Sequence, residues 1–195
     1  MTQVTKKDIG QWGNQFHNRK NAFDDNEDID AFIDHTKKDP KLRQYLLKYI
    51  PDGITDPKWK YHPDGKYKID LAIVDNKTGK KHLLIDLERW KQWDDEWPHN
   101  YKYISFLARK DHFLEEPIPF LMVYASNSLN KFLIVDKESI KKYEIVKKRF
   151  KNWDNKTDKV RQLKFSEGNL FGTNLTDIER KHFVKDSTSN LVNFF

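Results

Sequence analysis

The chain has 195 residues, 37% of them hydrophobic, with six Trp, eight Tyr and thirteen Phe, enough apolar surface for one core in a single domain over 1–195. It contains no cysteine, which excludes disulfides, thiolate metal sites and a cysteine nucleophile. The net charge of +6 is unevenly placed: residues 137–164 hold eleven Lys or Arg against four Asp or Glu.

Residues 1–25 mix Lys, Gln, Asn and Trp without a clean period and read as an irregular or partly helical lead-in. Asn26 is an expected cap for a helix in which Ile29, Phe32 and Ile33 share a face. Asp39-Pro40 is a cap-and-first-turn signal for a second helix, with Leu42, Tyr45, Leu46, Tyr49 and Ile50 at helical spacing before Pro51. Three strand-like runs follow, separated by turns at Pro63-Asp64-Gly65 and Asn76-Lys77-Thr78-Gly79, which predicts a β-meander. After Pro98, the spacing of Tyr101, Ile104, Leu107 and Ala108 predicts a helix. Phe120 to Tyr124 and Phe132 to Val135 read as buried strands, and Asp136 as the cap of a basic helix extending to about Phe150. Residues 160–165 alternate weakly.

The second meander turn proposes a register. With Lys77 and Thr78 at its centre and Gly79 in a left-handed bulge position, Asn76 faces Lys80. Asp70 is then opposite Asp86, Ala72 opposite Leu84 and Lys68 opposite Glu88. The reverse face carries Ile69, Leu71, Ile73, Leu83, Ile85 and Leu87. One face is expected to be core and the other to hold three carboxylates. Opposed like charges repel unless a cation, a proton or a basic side chain neutralises them, and three hard oxygen donors suit Mg2+ or Mn2+. A competing reading is a solvated strand face on which Lys66 and Lys68 pair with exposed acids.

Ile69-Asp70-Leu71 on the second strand and Leu84-Ile85-Asp86-Leu87-Glu88-Arg89 on the third, set after helices and before a helix and a further strand, resemble the PD-(D/E)XK nuclease superfamily over about residues 42–135. The resemblance implies an α/β fold, a restriction-endonuclease-like αβββαβ core with a mixed sheet flanked by helices, and a divalent-metal-dependent nuclease acting on DNA. It implies that Asp70 and Asp86 are metal ligands. Glu88 stands where the family has its lysine, as it does in a subset of restriction endonucleases, and is read as a third ligand or general base. Lys68 and Lys102 are candidates for a relocated lysine, with Lys91 just beyond the strand. The motif proline is absent before Asp70.

In the basic extension, about 136–195, Lys141, Lys142, Lys147, Lys148, Arg149 and Lys151 are expected to contact a phosphate backbone, aided by aromatic faces at Tyr143, Phe150 and Trp153. Trp90, Trp93 and Trp97 read as core packing, with a platform for an unpaired base as the alternative. The seven histidines show no paired ligand spacing, and neither a zinc-protease motif nor a phosphate-binding Gly-rich loop is present. The longest apolar stretch, residues 118–125 interrupted by Pro119, is far below the ~20 residues of a membrane span. With no apolar signal core at the N-terminus, the expectation is a soluble cytoplasmic protein, with nucleic acid as partner and a homodimer suited to double-strand cleavage. Two other functions fit the sequence: a nucleic-acid binder that kept this fold without catalysis, and an interaction protein whose acidic face meets a basic partner.

Overall fold

The computed structural model describes residues 21–54, 57–65, 68–98, 101–150 and 156–183. Helix α1 (Asn21–Lys38) buries Ile29, Phe32 and Ile33 on one face. It begins five residues before the expected cap, so Asn26 lies inside it. The lead-in expected over residues 1–25 therefore ends in helix from Asn21, and residues 1–20 lie outside the described part.

Helix α2 (Pro40–Leu47) starts as its sequence predicts. Asp39 is extended, and its carboxylate accepts hydrogen bonds from the amides of Lys41 (2.8 Å) and Leu42 (3.3 Å), satisfying donors that a helix start leaves open. Leu42 and Leu46 are buried, and Tyr45, Tyr49 and Ile50 pack beside them. Asp39→Ala is expected to cost about 1 kcal/mol, a fall of about 2–4 °C in the thermal midpoint of a domain this size, measurable by calorimetry.

Strands β1 (Pro57–Tyr61), β2 (Leu71–Asp75) and β3 (Lys81–Trp90) form the antiparallel meander. The register Leu71↔Ile85, Ala72↔Leu84 and Ile73↔Leu83 is the one the turn chemistry predicts. Nearer the turn it slips: the Asp75 amide donates to the Lys80 carbonyl (2.9 Å) and Val74 opposes Lys81, so Asp75 rather than Asn76 faces Lys80. The Asp75 carboxylate accepts from the Lys77 (2.7 Å) and Thr78 (3.3 Å) amides, which starts the loop one residue early. A bulge at His82 absorbs the difference. Gly79 has φ 69°, the left-handed conformation expected of it.

Beyond β3 the chain enters a second layer. The helix expected after Pro98 is instead strand β4 (Tyr103–Leu107), followed by a 3-10 turn (Ala108–Lys110) and a short helix α3 (His112–Glu115). The apolar spacing there suits either structure, and the choice is made by a partner far along the sequence. Strand β5 (Phe120–Ser126), wholly buried, runs parallel to β3, and β6 (Lys131–Asp136) returns antiparallel to it. Asp136 does cap a helix, through the Ser139 amide at 2.7 Å, but α4 (Lys137–Lys141) has only five residues. The rest of the expected basic helix is strand β7 (Ile145–Phe150), paired with β8 (Lys156–Lys164); the adjacent β-branched Ile145 and Val146 favour the strand. Strand β9 (Asn169–Gly172) and helix α5 (Asp177–Phe183) complete the order.

The result is α/β: a mixed six-stranded sheet in the order β1-β2-β3-β5-β6-β9 and a second sheet in the order β4-β8-β7. Residues 136–195 thus contribute strands to both sheets. One face of the large sheet (Leu71, Ile73, Leu83, Ile85, Val123) packs on α1 and α2. The opposite face (Ala72, Leu84, Met122, Tyr124) packs on Trp93, Trp97, Ile104 and Phe106. The face of the hairpin that carries the acids is therefore largely a second core, covered by the smaller sheet, rather than the solvated strand face of the competing reading. Ile69 belongs to this second cluster with Ala72 and Val74, because β2 begins at Leu71 and strict alternation does not extend back to residue 69. No helix among the described residues is long and apolar enough to cross a membrane.

Candidate active site

Strand alternation places Asp86 and Glu88 on the same face of β3, beside Met122 and Tyr124 of β5, with which they are in register. Asp70 stands just ahead of β2 and is not a ladder partner of Asp86, contrary to the expected direct opposition. Its Oδ2 accepts a hydrogen bond from the Leu87 amide at 2.7 Å, so a side chain takes over where the β2–β3 ladder stops. Asp86 is only 4% exposed, and a buried carboxylate needs a partner.

That partner is Lys110, the last residue of the 3-10 turn. Its Nζ donates to Asp86 Oδ2 and lies 3.8 Å from Glu88 Oε2. Burial works to lower the Lys110 pKa; the charges of Asp86 and Glu88, the hydrogen bond to Asp86 and the charge of Asp70 outweigh it and hold the ammonium above the ordinary lysine value. All three acids named from the sequence thus act on one cation. Burial, with the charges of Glu88 and Asp86 nearby, also pushes up the Tyr124 hydroxyl. The Lys110 turn is fastened from the second sheet: Arg161 on β8 grips Asp111 through Nε (3.1 Å) and Nη2 (2.8 Å), a bidentate pair.

Sequence reasoning missed Lys110. The available signal was a basic pair, Arg109-Lys110, closing an apolar run between the acidic strand and the next strand of the same sheet; the helical reading of that run hid it. The proposed substitutes lie elsewhere. Lys68 is exposed, and no ladder sets it opposite Glu88, because β2 starts at Leu71. Lys102 is exposed ahead of β4 and not on a helix, and Lys91 is exposed just past β3.

Among the described residues, no three His, Asp or Glu side chains are gathered so as to hold a metal ion by themselves. Lys110 sits against Asp86 and Glu88, and Asp70 accepts from the Leu87 amide. The chemistry of the donor set, carboxylate oxygens from Asp70, Asp86 and Glu88, suits a hard divalent cation.

The basic residues do not share a helix face. Lys141 lies 3.8 Å from Glu115, and Lys142 pairs with Glu167 at 3.1 Å. Lys147 and Arg149 are exposed on the edge strand β7, with Lys147 directly across from Lys159. Half-buried Lys148 donates to Ser105 Oγ at 2.6 Å, and its pKa is lowered by desolvation. Lys66 and Lys151 lie outside the described residues. No protein-family model, curated protein or solved structure matches this chain.

Proposed function

We propose that this chain is a divalent-metal-dependent nuclease that hydrolyses phosphodiester bonds, with DNA as substrate, on a restriction-endonuclease-like core. The observation that carries the reading is Lys110 drawn onto Asp86 and Glu88, with Asp70 alongside. A lysine beside paired carboxylates is the group whose absence from the motif position weakened the resemblance. The helices α1 and α2, the meander and the parallel return to β5 support the same core, with β4, the 3-10 turn and α3 in place of a full crossover helix.

Asp70 and Asp86 would hold Mg2+ or Mn2+, with Glu88 available as a third donor. Such an ion supplies polarisation of the phosphate and a lowered pKa for the attacking water. Held as a cation, Lys110 cannot accept a proton at neutral pH; it donates hydrogen bonds and offsets charge building on the phosphate oxygens. Asp86 orients that ammonium. The Glu88 side chain, 38% exposed, is the carboxylate open to water and is assigned proton acceptance. Lys147 and Arg149 on β7 would hold the phosphate backbone.

A second reading, a nucleic-acid binder without catalysis, draws on one observation: Lys110 already neutralises Asp86 without an ion. It expects steeply salt-dependent binding and no product. Purified protein incubated with supercoiled plasmid or single-stranded DNA, with Mg2+, Mn2+ or chelator, separates the two. Metal-dependent cutting is expected, reduced about 10²-fold or more by Asp86→Ala and by Asp70→Ala. DNA retarded on a gel yet uncut under every condition would remove the nuclease reading.

A further inference from the structure

The face of β3 that carries Asp86 and Glu88 continues to Trp90, since strand side chains return to one face every second residue, about 7 Å apart. Trp90 is half-buried. Its ring is held by Trp97 (5.1 Å, planes at 30°), Tyr101 (5.7 Å, 59°) and Tyr124, which meets it edge-on at 5.5 Å. Trp93 and Trp97 behind it are buried, so the indole is fixed in place. Strand β5 pairs with β3 as far as Trp90↔Ser126, whereas the ladder with β2 stops at Leu71↔Ile85. Among the described residues, the last part of β3 therefore has a strand neighbour on one side only. The acids and Lys110 stand at one end of this stretch and an immobilised aromatic ring at the other, with exposed Lys91 next to it in sequence.

We infer that Trp90 is a stacking platform for an unpaired base whose neighbouring phosphate lies at Asp86, Glu88 and Lys110, so that the substrate is single-stranded or carries an unpaired nucleotide beside the scissile bond. This rests on the nuclease reading above. A base inside a duplex has both faces taken by its neighbours, while an unpaired base offers a face to the indole. Such stacking changes affinity by about 5- to 150-fold per base and tolerates any base, because each has a π-face.

The test uses the full chain in chelator, so that binding is read without cleavage, with a single-stranded oligonucleotide carrying 2-aminopurine, its duplex, and single strands with an abasic site moved position by position. Tight binding of the single strand with quenched 2-aminopurine is expected. One abasic position and Trp90→Leu should each weaken it about 5- to 150-fold, with little further loss when combined and near-normal binding by Trp90→Phe. Equal binding at every abasic position, or duplex bound as tightly as single strand, overturns the inference. If Trp90→Leu does not fold, the abasic scan on the unaltered protein decides. A protein that quenches 2-aminopurine but never cuts keeps the platform and loses the nuclease reading. Asp86-dependent cutting of duplex with no abasic sensitivity keeps the nuclease and removes the platform.

Discussion

Lys110→Met is expected to lower metal-dependent cleavage by about 10²–10³-fold and, separately, to destabilise the fold by about 3–5 kcal/mol, because it leaves the buried Asp86 carboxylate without its cation. The two effects are separable. Adding Asp86→Leu to Lys110→Met removes the orphaned charge, so chemical denaturation should show stability largely regained while cleavage stays lost. Retained cleavage in Lys110→Met would show that the lysine only balances charge. The pH dependence has a definite sign. The Lys110 pKa is raised in the folded state, so its contribution to stability is fully present below the ordinary lysine value of about 10.4 and is lost as pH rises through the higher folded value. Any loss of activity nearer neutral pH belongs to other groups.

The second large effect lies away from the site. Glu179 on α5 is fully buried and accepts from Trp93 Nε1 (2.8 Å), the Trp97 amide (3.2 Å) and the Thr176 amide (3.0 Å), and it pairs with buried Lys131 at 2.8 Å. Lys131 also donates to the Asp95 carbonyl. This cluster ties α5 and the tryptophan loop to β6. Glu179→Ala strands the Lys131 ammonium and is expected to cost about 3–5 kcal/mol, a fall of roughly 6–20 °C in the thermal midpoint; a calorimetric fall of under 2 °C would mean the cluster is open to water. Burial works to raise the Glu179 pKa, but the hydrogen bonds from Lys131, Thr176 and Trp93 and the Lys131 charge prevail and lower it. The stability it brings is therefore present above the ordinary carboxylate range and is lost as pH falls through the lowered value.

What the sequence determined is what short-range chemistry decides. Asp39-Pro40 starts α2, Asp136 caps α4, Gly79 takes the left-handed turn position, and the apolar–polar alternation along β3 puts Asp86 and Glu88 on one face. Each depends on residues within a few positions of one another. The tertiary structure alone decided what long-range pairing controls. Residues 103–107 and 145–150 became strands because β8 pairs with both, adding backbone hydrogen bonds and burying Ile104, Phe106 and Leu163, a pairing that local apolar spacing does not encode. The same docking covered the acidic face and carried Lys110 to Asp86, 24 residues away in the chain. Repulsion among three carboxylates states that a neutralising partner is needed, but only the folding of the second sheet onto the first identifies it.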